Sequence, residues 1–259
     1  MTEHLTRIRR RLLDASDAPD AESAMGELWR LCVSVRDSEL VDALERSPGY
    51  RALRAFFSVR WAAHVRQAEF RCSLSLPVSE PAADAPRRLP RSVLAEEGYR
   101  GVADELSLLG PHRVRDAAVI GCGPFPESLV GLQTCGLVTG VVTGVDRDVA
   151  AARLAEQVAR RYGPRPAGLR TVATDGGSFD FGRSELVLLV NGLAHKAELL
   201  ERIRQTAPPG VLVLLRNPRL LGRLLYESAH PTTADGWRVI AQVDPTLLSR
   251  TLLLERTEH

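Results

Sequence analysis

The sequence predicts an α/β protein: a Rossmann-like, largely parallel sheet over residues 113–259, preceded by a helical cap domain over 1–112. Two observations carry this. Apolar residues recur at helical spacing through the first part of the chain, and from Val114 they gather into short unbroken runs. Those runs alternate with helical stretches, as strands do when crossover helices bury both faces of a sheet.

In the first part, Leu5, Ile8, Leu12 and Leu13 mark one helix, and Leu28, Leu31, Cys32 and Val35 mark a second. A third is expected from Tyr50 through Phe70. LPVSEPAADAPRRLP then carries Pro77, Pro81, Pro86 and Pro90, each lacking the N–H that a helix needs, so this stretch reads as a loop or lid. Ser92 is the expected N-cap of the next helix, with Glu96 and Glu97 in its early turns, where the dipole favours anions. That helix stops at Gly110-Pro111. Strands are expected at 117–120, 138–145, TVATD (ending at Asp175), 186–190 and 211–216. Arg238–Val243 and Thr251–Leu254 follow without an intervening helix of any length, so the sheet should end in an antiparallel hairpin, the common finish of class I methyltransferase-type folds.

Composition narrows the function classes. Across 259 residues, 44% hydrophobic and 25% charged content is ordinary for a globular protein, and a net charge of +2 is too small to suggest a nucleic-acid binder. Arg9-Arg10-Arg11 falls in a Leu-spaced helix and reads as a solvated face. The N-terminal MTEHLTRIRR lacks a hydrophobic signal core, and no apolar run approaches the roughly 18 residues of a membrane span, so a cytoplasmic location without a membrane partner is expected. Cys32, Cys72, Cys122 and Cys135 show no C-x-x-C spacing; reduced thiols and no metal site are expected. Oligomeric state is left open, with a homodimer as the assembly considered.

The sharpest local signal is AAVIGCGPFPESL, residues 117–129. A buried strand delivers Gly121-Cys122-Gly123-Pro124 into a tight turn, and a helix begins near Pro126 or Glu127. Glycine lets the backbone turn sharply and lets a ligand approach without meeting a Cβ. Asp146 ends the next strand 23 residues after Gly123, where an acidic side chain accepts from ribose hydroxyls. A dinucleotide is disfavoured: Pro126 replaces the third glycine, and Glu127 would meet a pyrophosphate with negative charge. S-adenosylmethionine fits instead, as a co-substrate with no phosphate and a sulfonium cation that acidic groups favour. Asp175 is the candidate for the adenine amino group, with a plain turn residue before Gly176-Gly177 as the alternative. Asn191 and Gly192, past the fourth strand, fall where such enzymes line the methionine pocket, and Cys122 is read as present for size. Arg216, at the C-terminal edge of an apolar strand, is placed to pair with a substrate carboxylate or else with a neighbouring helix. His195 and Lys196 read as surface residues, His64 as packed beside Trp61.

The residues Gly121–Ser128 resemble the glycine turn of the nicotianamine synthase-like family, GSGPLPLTS in its plant members. The resemblance extends to Asp146-Arg147-Asp148, Thr174-Asp175, Pro209-Gly210 with Leu215-Arg216 and Tyr226, and Tyr99 with Glu105-Leu106-Ser107-Leu108-Leu109. It departs in that Tyr99 sits one residue closer to Glu105, Gly98 replaces an Asn, and the loop after the fourth strand is shorter. The length is nearer the bacterial members, which include opine-metallophore enzymes. The resemblance implies that an amine attacks the γ-carbon of S-adenosylmethionine, transferring the 3-amino-3-carboxypropyl group and releasing 5′-methylthioadenosine. It implies Glu105 as proton acceptor with Tyr99 beside it; Glu69, in the earlier helix, is the fallback, although its position relative to Gly121 fits the family poorly. Cofactor contacts fall on Gly121, Cys122, Gly123, Pro124, Asp146, Arg147, Asp175, Asn191 and Gly192, and substrate contacts on Ser128, Arg216 and Tyr226, the last alternatively packing on the sheet. Histidine is the leading acceptor. Cyclisation of S-adenosylmethionine to azetidine-2-carboxylate, small-molecule methyl transfer and a non-enzymatic binding module are the alternatives.

Overall fold

A computed structural model describes residues 2–16, 21–76, 95–162 and 168–257. Eight helices and seven strands are described: α1 (Thr2–Ser16), α2 (Ala21–Ser34), α3 (Ser38–Glu45), α4 (Tyr50–Ser75), α5 (Ala95–Ser107), β1 (Ala117–Ile120), α6 (Glu127–Thr134), β2 (Val142–Asp146), α7 (Val149–Tyr162), β3 (Leu169–Ala173), β4 (Leu186–Leu189), α8 (Lys196–Thr206), β5 (Leu212–Pro218), β6 (Trp237–Thr246) and β7 (Ser249–Arg256). They form one sheet in the order β3-β2-β1-β4-β5-β7-β6. The first five strands are parallel, and β7 is antiparallel to both β5 and β6. This is the Rossmann-like class I methyltransferase fold. The strand order reverses between β1 and β4, and the crevice outside their C-terminal ends is where open α/β sheets hold ligands.

Alternation along the strands separates two cores. Val119, Leu188, Leu214 and Leu253 face one side, packed with Val102 and Leu106 of α5, Leu129 and Leu132 of α6 and Ala155 of α7. Ala118, Ile120, Val187, Leu189, Val213 and Leu215 face the other, packed with Leu199, Leu200 and Ile203 of α8 and with Phe181 and Trp237. A third cluster joins α1–α4 to the turn Leu220–Leu224 after β5, through Leu12, Leu28, Leu44, Phe57, Trp61, Leu221 and Leu224.

The departures from expectation are local. Helix α3 was not foreseen; Asp37 caps it, its Oδ1 accepting from the N–H groups of Glu39 (2.9 Å) and Leu40 (3.1 Å). The second strand starts at Val142, and Val138 makes only an isolated bridge to Val114. Helix α5, which the sequence groups with the cap, packs on α6 and β6 instead. The proline-rich stretch and Ser92 lie outside the described residues. Among the described residues no helix is long and apolar enough to cross a membrane.

Candidate active site

The turn after β1 is built as the glycines demand. Gly121 and Gly123 take φ values of +75° and +61°, a region costly for any residue with a Cβ. The N–H groups of Gly121 (2.8 Å) and Cys122 (3.2 Å) donate to the Val145 carbonyl, drawing the turn onto the end of β2. A Cβ on Gly121 would lie 2.8 Å from Val190 Cγ2 and 3.0 Å from Leu193 Cδ2. Gly123 N–H donates to Asp146 Oδ2 (2.9 Å), and Asp148 N–H to Asp146 Oδ1 (2.9 Å). Asp146 is therefore fixed in place, with lone-pair capacity left on each oxygen. Burial, and then Asp146, push the Cys122 thiol well above its usual range, so it stays a protonated, space-filling group.

Helix α4 forms a roof over this turn. Trp61 Nε1–H donates to the Tyr226 hydroxyl (2.6 Å), Arg66 pairs with Asp148, and Ser73 O–H donates to the Pro124 carbonyl (2.7 Å). Glu69 lies on the same face, its Oε2 2.8 Å from where a Cβ on Gly123 would stand. Trp29 stacks on Trp61 at 5.5 Å, and His64 tilts against it at 5.7 Å. The roof thus brings a carboxylate onto the glycine turn. Burial raises the Glu69 carboxyl to about 8, helped by Glu127 and Asp146. Burial also raises Glu127 to about 7, with Arg216 opposing and Glu105 adding to the shift. Neither Glu69 nor Glu127 has a hydrogen-bond or ion-pair partner among the described residues.

Glu105, the expected proton acceptor, is committed to an ion pair. Its carboxylate is 2% exposed and is gripped by Arg216, Nε to Oε1 at 2.7 Å and Nη2 to Oε2 at 2.6 Å. Thr251 O–H donates to Oε1 at 2.6 Å, and Arg216 Nη2 also donates to Ser128 Oγ at 2.8 Å. The pair ties α5 to β5, α6 and β7; Ser128 accepts from Arg216, and the helix residue Glu105 is one of the two kinds of partner expected for Arg216. Nη1 of Arg216 makes no hydrogen bond among the described residues.

Other predicted positions divide. Tyr226 belongs to the cap cluster beside Trp61 rather than to the sheet face. Asn191 Nδ2 donates to Ser249 Oγ (2.9 Å), while its buried Oδ1 has no partner among the described residues. Gly192 has open space where a Cβ would stand. Asp175 is exposed and caps the turn after β3, Oδ1 accepting from Gly177 N–H (2.8 Å), as its alternative reading had it. Arg147 is exposed. Tyr99 lies on α5, but its side chain is outside the described residues. Lys196 is not a surface residue: fully buried, its Nζ donates to the carbonyls of Arg216 (2.7 Å) and Glu227 (2.9 Å), and burial lowers it to about 7. Nothing in the local pattern distinguished it from an exposed helix N-terminal lysine. Among the described residues no group of three or more His, Cys, Asp or Glu is placed to hold a metal.

Gly123→Ala is expected to destabilise the fold by about 1–2 kcal/mol, the cost of a Cβ at left-handed φ, and to displace the Glu69 carboxylate. Urea denaturation checks this; an unchanged midpoint would mean that the turn relaxes freely.

No family model and no curated protein matches the sequence. Solved structures do. The chain has the fold of MtNAS, a nicotianamine synthase. The complex of MtNAS with MTA and tNA superposes with a TM-score of 0.76 at 18% identity, over 99% of this chain and 98% of that one. A glutamate-to-glutamine variant of MtNAS in complex with S-adenosylmethionine gives 0.78 at 16%, over 98% of each chain. Magnesium protoporphyrin IX methyltransferase (ChlM) from Synechocystis PCC 6803 with bound SAH gives 0.51 at 14%, over 80% of this chain and 99% of that one. The helical cap as well as the sheet is thus shared with MtNAS.

Proposed function

We propose that this protein transfers the 3-amino-3-carboxypropyl group of S-adenosylmethionine to the amine of a small amino acid, histidine foremost, and releases 5′-methylthioadenosine. The observation that carries the reading is Glu69: a carboxyl set over Gly123, near Asp146 and Glu127, with no hydrogen-bond or ion-pair partner among the described residues. The residues fit the co-substrate. The left-handed glycines leave a cradle that a Cβ would fill, Asp146 presents oxygens suited to ribose hydroxyls, and the acidic surroundings suit a sulfonium. MtNAS, whose fold this chain has, was crystallised with S-adenosylmethionine and with MTA, which supports S-adenosylmethionine as the co-substrate here.

An ammonium has no lone pair, so the acceptor first gives a proton to Glu69, whose raised pKa suits it to take one near neutral pH. The freed nitrogen then forms a C–N bond at the γ-carbon as the C–S bond breaks, and the electron pair leaves on sulfur as a neutral thioether. Tyr226, oriented by Trp61, keeps its own O–H to donate to substrate. A product with several amines and carboxylates on short spacers is a chelator, which supports a role in metallophore biosynthesis.

Product analysis tests this. 5′-Methylthioadenosine formed with histidine present supports the transfer. Release without acceptor would indicate cyclisation, and S-adenosylhomocysteine would indicate methyl transfer; either overturns the proposal. A second expectation concerns protons. Glu69 and Glu127, raised to about 8 and about 7, are partly protonated at pH 7, and an arriving cation favours their charged forms. Binding of S-adenosylmethionine near pH 7 should therefore release protons, tapering as pH rises past about 8. Calorimetry in buffers of differing ionisation enthalpy reads this, and proton uptake would contradict it.

A further inference from the structure

Glu127 opens α6, four residues beyond Gly123 and close to Arg216 on β5. The two influence each other's charge, yet among the described residues they do not come within the 4.0 Å of an ion pair. Arg216 is turned toward Glu105 and Ser128 through Nε and Nη2, which leaves Nη1 without a hydrogen bond among the described residues, and Thr251 donates to Glu105 as well. Glu127 is anchored by a helix whose next residues, Ser128, Leu129 and Val130, are buried. Among the described residues, then, a carboxyl and a guanidinium edge neighbour each other at the head of α6 without pairing: Arg216 Nη2 reaches Ser128 Oγ at 2.8 Å, one residue from Glu127.

An α-amino acid zwitterion is the complement of such an unpaired carboxyl and guanidinium, because its ammonium and carboxylate sit on one carbon at fixed separation. We infer that Glu127 and the Nη1 edge of Arg216 form a subsite for an α-amino-acid zwitterion, Glu127 taking the ammonium and Arg216 the carboxylate. The inference rests on the S-adenosylmethionine reading above. It adds a specificity-determining role for Glu127 and a reason for the buried Glu105: holding the guanidinium rigid, so that one edge is presented without loss of side-chain freedom on binding. Two ligands in the proposed reaction carry this group, the methionyl end of S-adenosylmethionine and the acceptor amino acid.

Calorimetry separates the sources, on wild type and Glu127→Gln. The probes are S-adenosylmethionine, its analogue with hydroxyl in place of the ammonium, its decarboxylated analogue, 5′-methylthioadenosine, and histidine added to the thioether-saturated protein. If the methionyl end occupies the subsite, wild type binds both analogues about 10-fold or more weakly than S-adenosylmethionine, the least that a charge-assisted hydrogen bond contributes. Glu127→Gln then weakens S-adenosylmethionine to the level of the hydroxy analogue and leaves 5′-methylthioadenosine unchanged. If the acceptor occupies it, histidine weakens by about that factor while S-adenosylmethionine does not. Equal binding of all nucleosides by wild type, with histidine unaffected by Glu127→Gln, overturns the subsite alone. Binding of no nucleoside by wild type overturns the subsite and the co-substrate reading together.

Discussion

Replacing Glu69 by Gln is expected to leave S-adenosylmethionine bound and to cut 5′-methylthioadenosine formation by about 10²–10⁴-fold, the usual contribution of a positioned general base. The amide fills the same space over Gly123 but takes up no proton. The pH profile distinguishes this from a packing effect. In wild type, Glu69 must be ionised to accept the acceptor's proton, so kcat/KM should rise with pH and level off above about 8. The Gln variant should lack that limb. Stability should move the opposite way. A carboxyl titrating at about 8 in the folded protein and near 4.5 when unfolded makes the native state bind more protons between those values, so stability falls as pH rises through that window. Glu69→Gln removes this slope and should be the more stable protein at pH 8, as expected of a group retained for chemistry rather than for packing. A variant with wild-type turnover would remove Glu69 from the mechanism.

Glu105→Ala is expected to destabilise the protein by about 3–5 kcal/mol, because it leaves the mostly buried Arg216 guanidinium without its carboxylate partner. Little of its effect should concern proton transfer, since the carboxylate is already committed to Arg216 and Thr251. The double replacement Glu105→Leu with Arg216→Met should recover most of that stability, as buried ion pairs exchanged for apolar groups of similar volume often do. It should not recover substrate binding, for which the guanidinium edge is needed. Urea denaturation of the single and double variants checks the first claim. A Glu105→Ala midpoint equal to wild type would mean that the pair carries no structural load.

Much of the fold could be read from local pattern. The strand runs at 117–120, 186–190 and 211–216 are observed within about two residues, the margin at which such ends differ. The closing pair Arg238–Val243 and Thr251–Leu254 is the antiparallel hairpin of β6 and β7. Helix α3 was missed because eight residues carry too few turns for a periodic signal, although Asp37 supplied a cap. The glycine turn and Asp146 were legible because each obeys a short-range rule, and Gly123 N–H indeed meets the Asp146 carboxylate.

The surroundings of the two glutamates were not legible in that way. Glu69 and Glu105 are both helical glutamates, and periodicity places each on a helix without saying what that helix covers. Lys196 shows the same gap: a lysine opening a helix reads as solvent-facing until β5 and the segment near Glu227 close over it.

By itself the sequence determined a strand, a left-handed glycine turn and an acidic strand end in register with it, because backbone sterics and alternation act within a few residues. Only the tertiary structure decided which carboxyl is left without a partner among the described residues. Arg216 lies 111 residues from Glu105 in sequence, and a charge taken out of water must find its opposite wherever packing brings one. Glu105 met that partner; Glu69, carried by α4 onto the bare backbone of Gly123, did not.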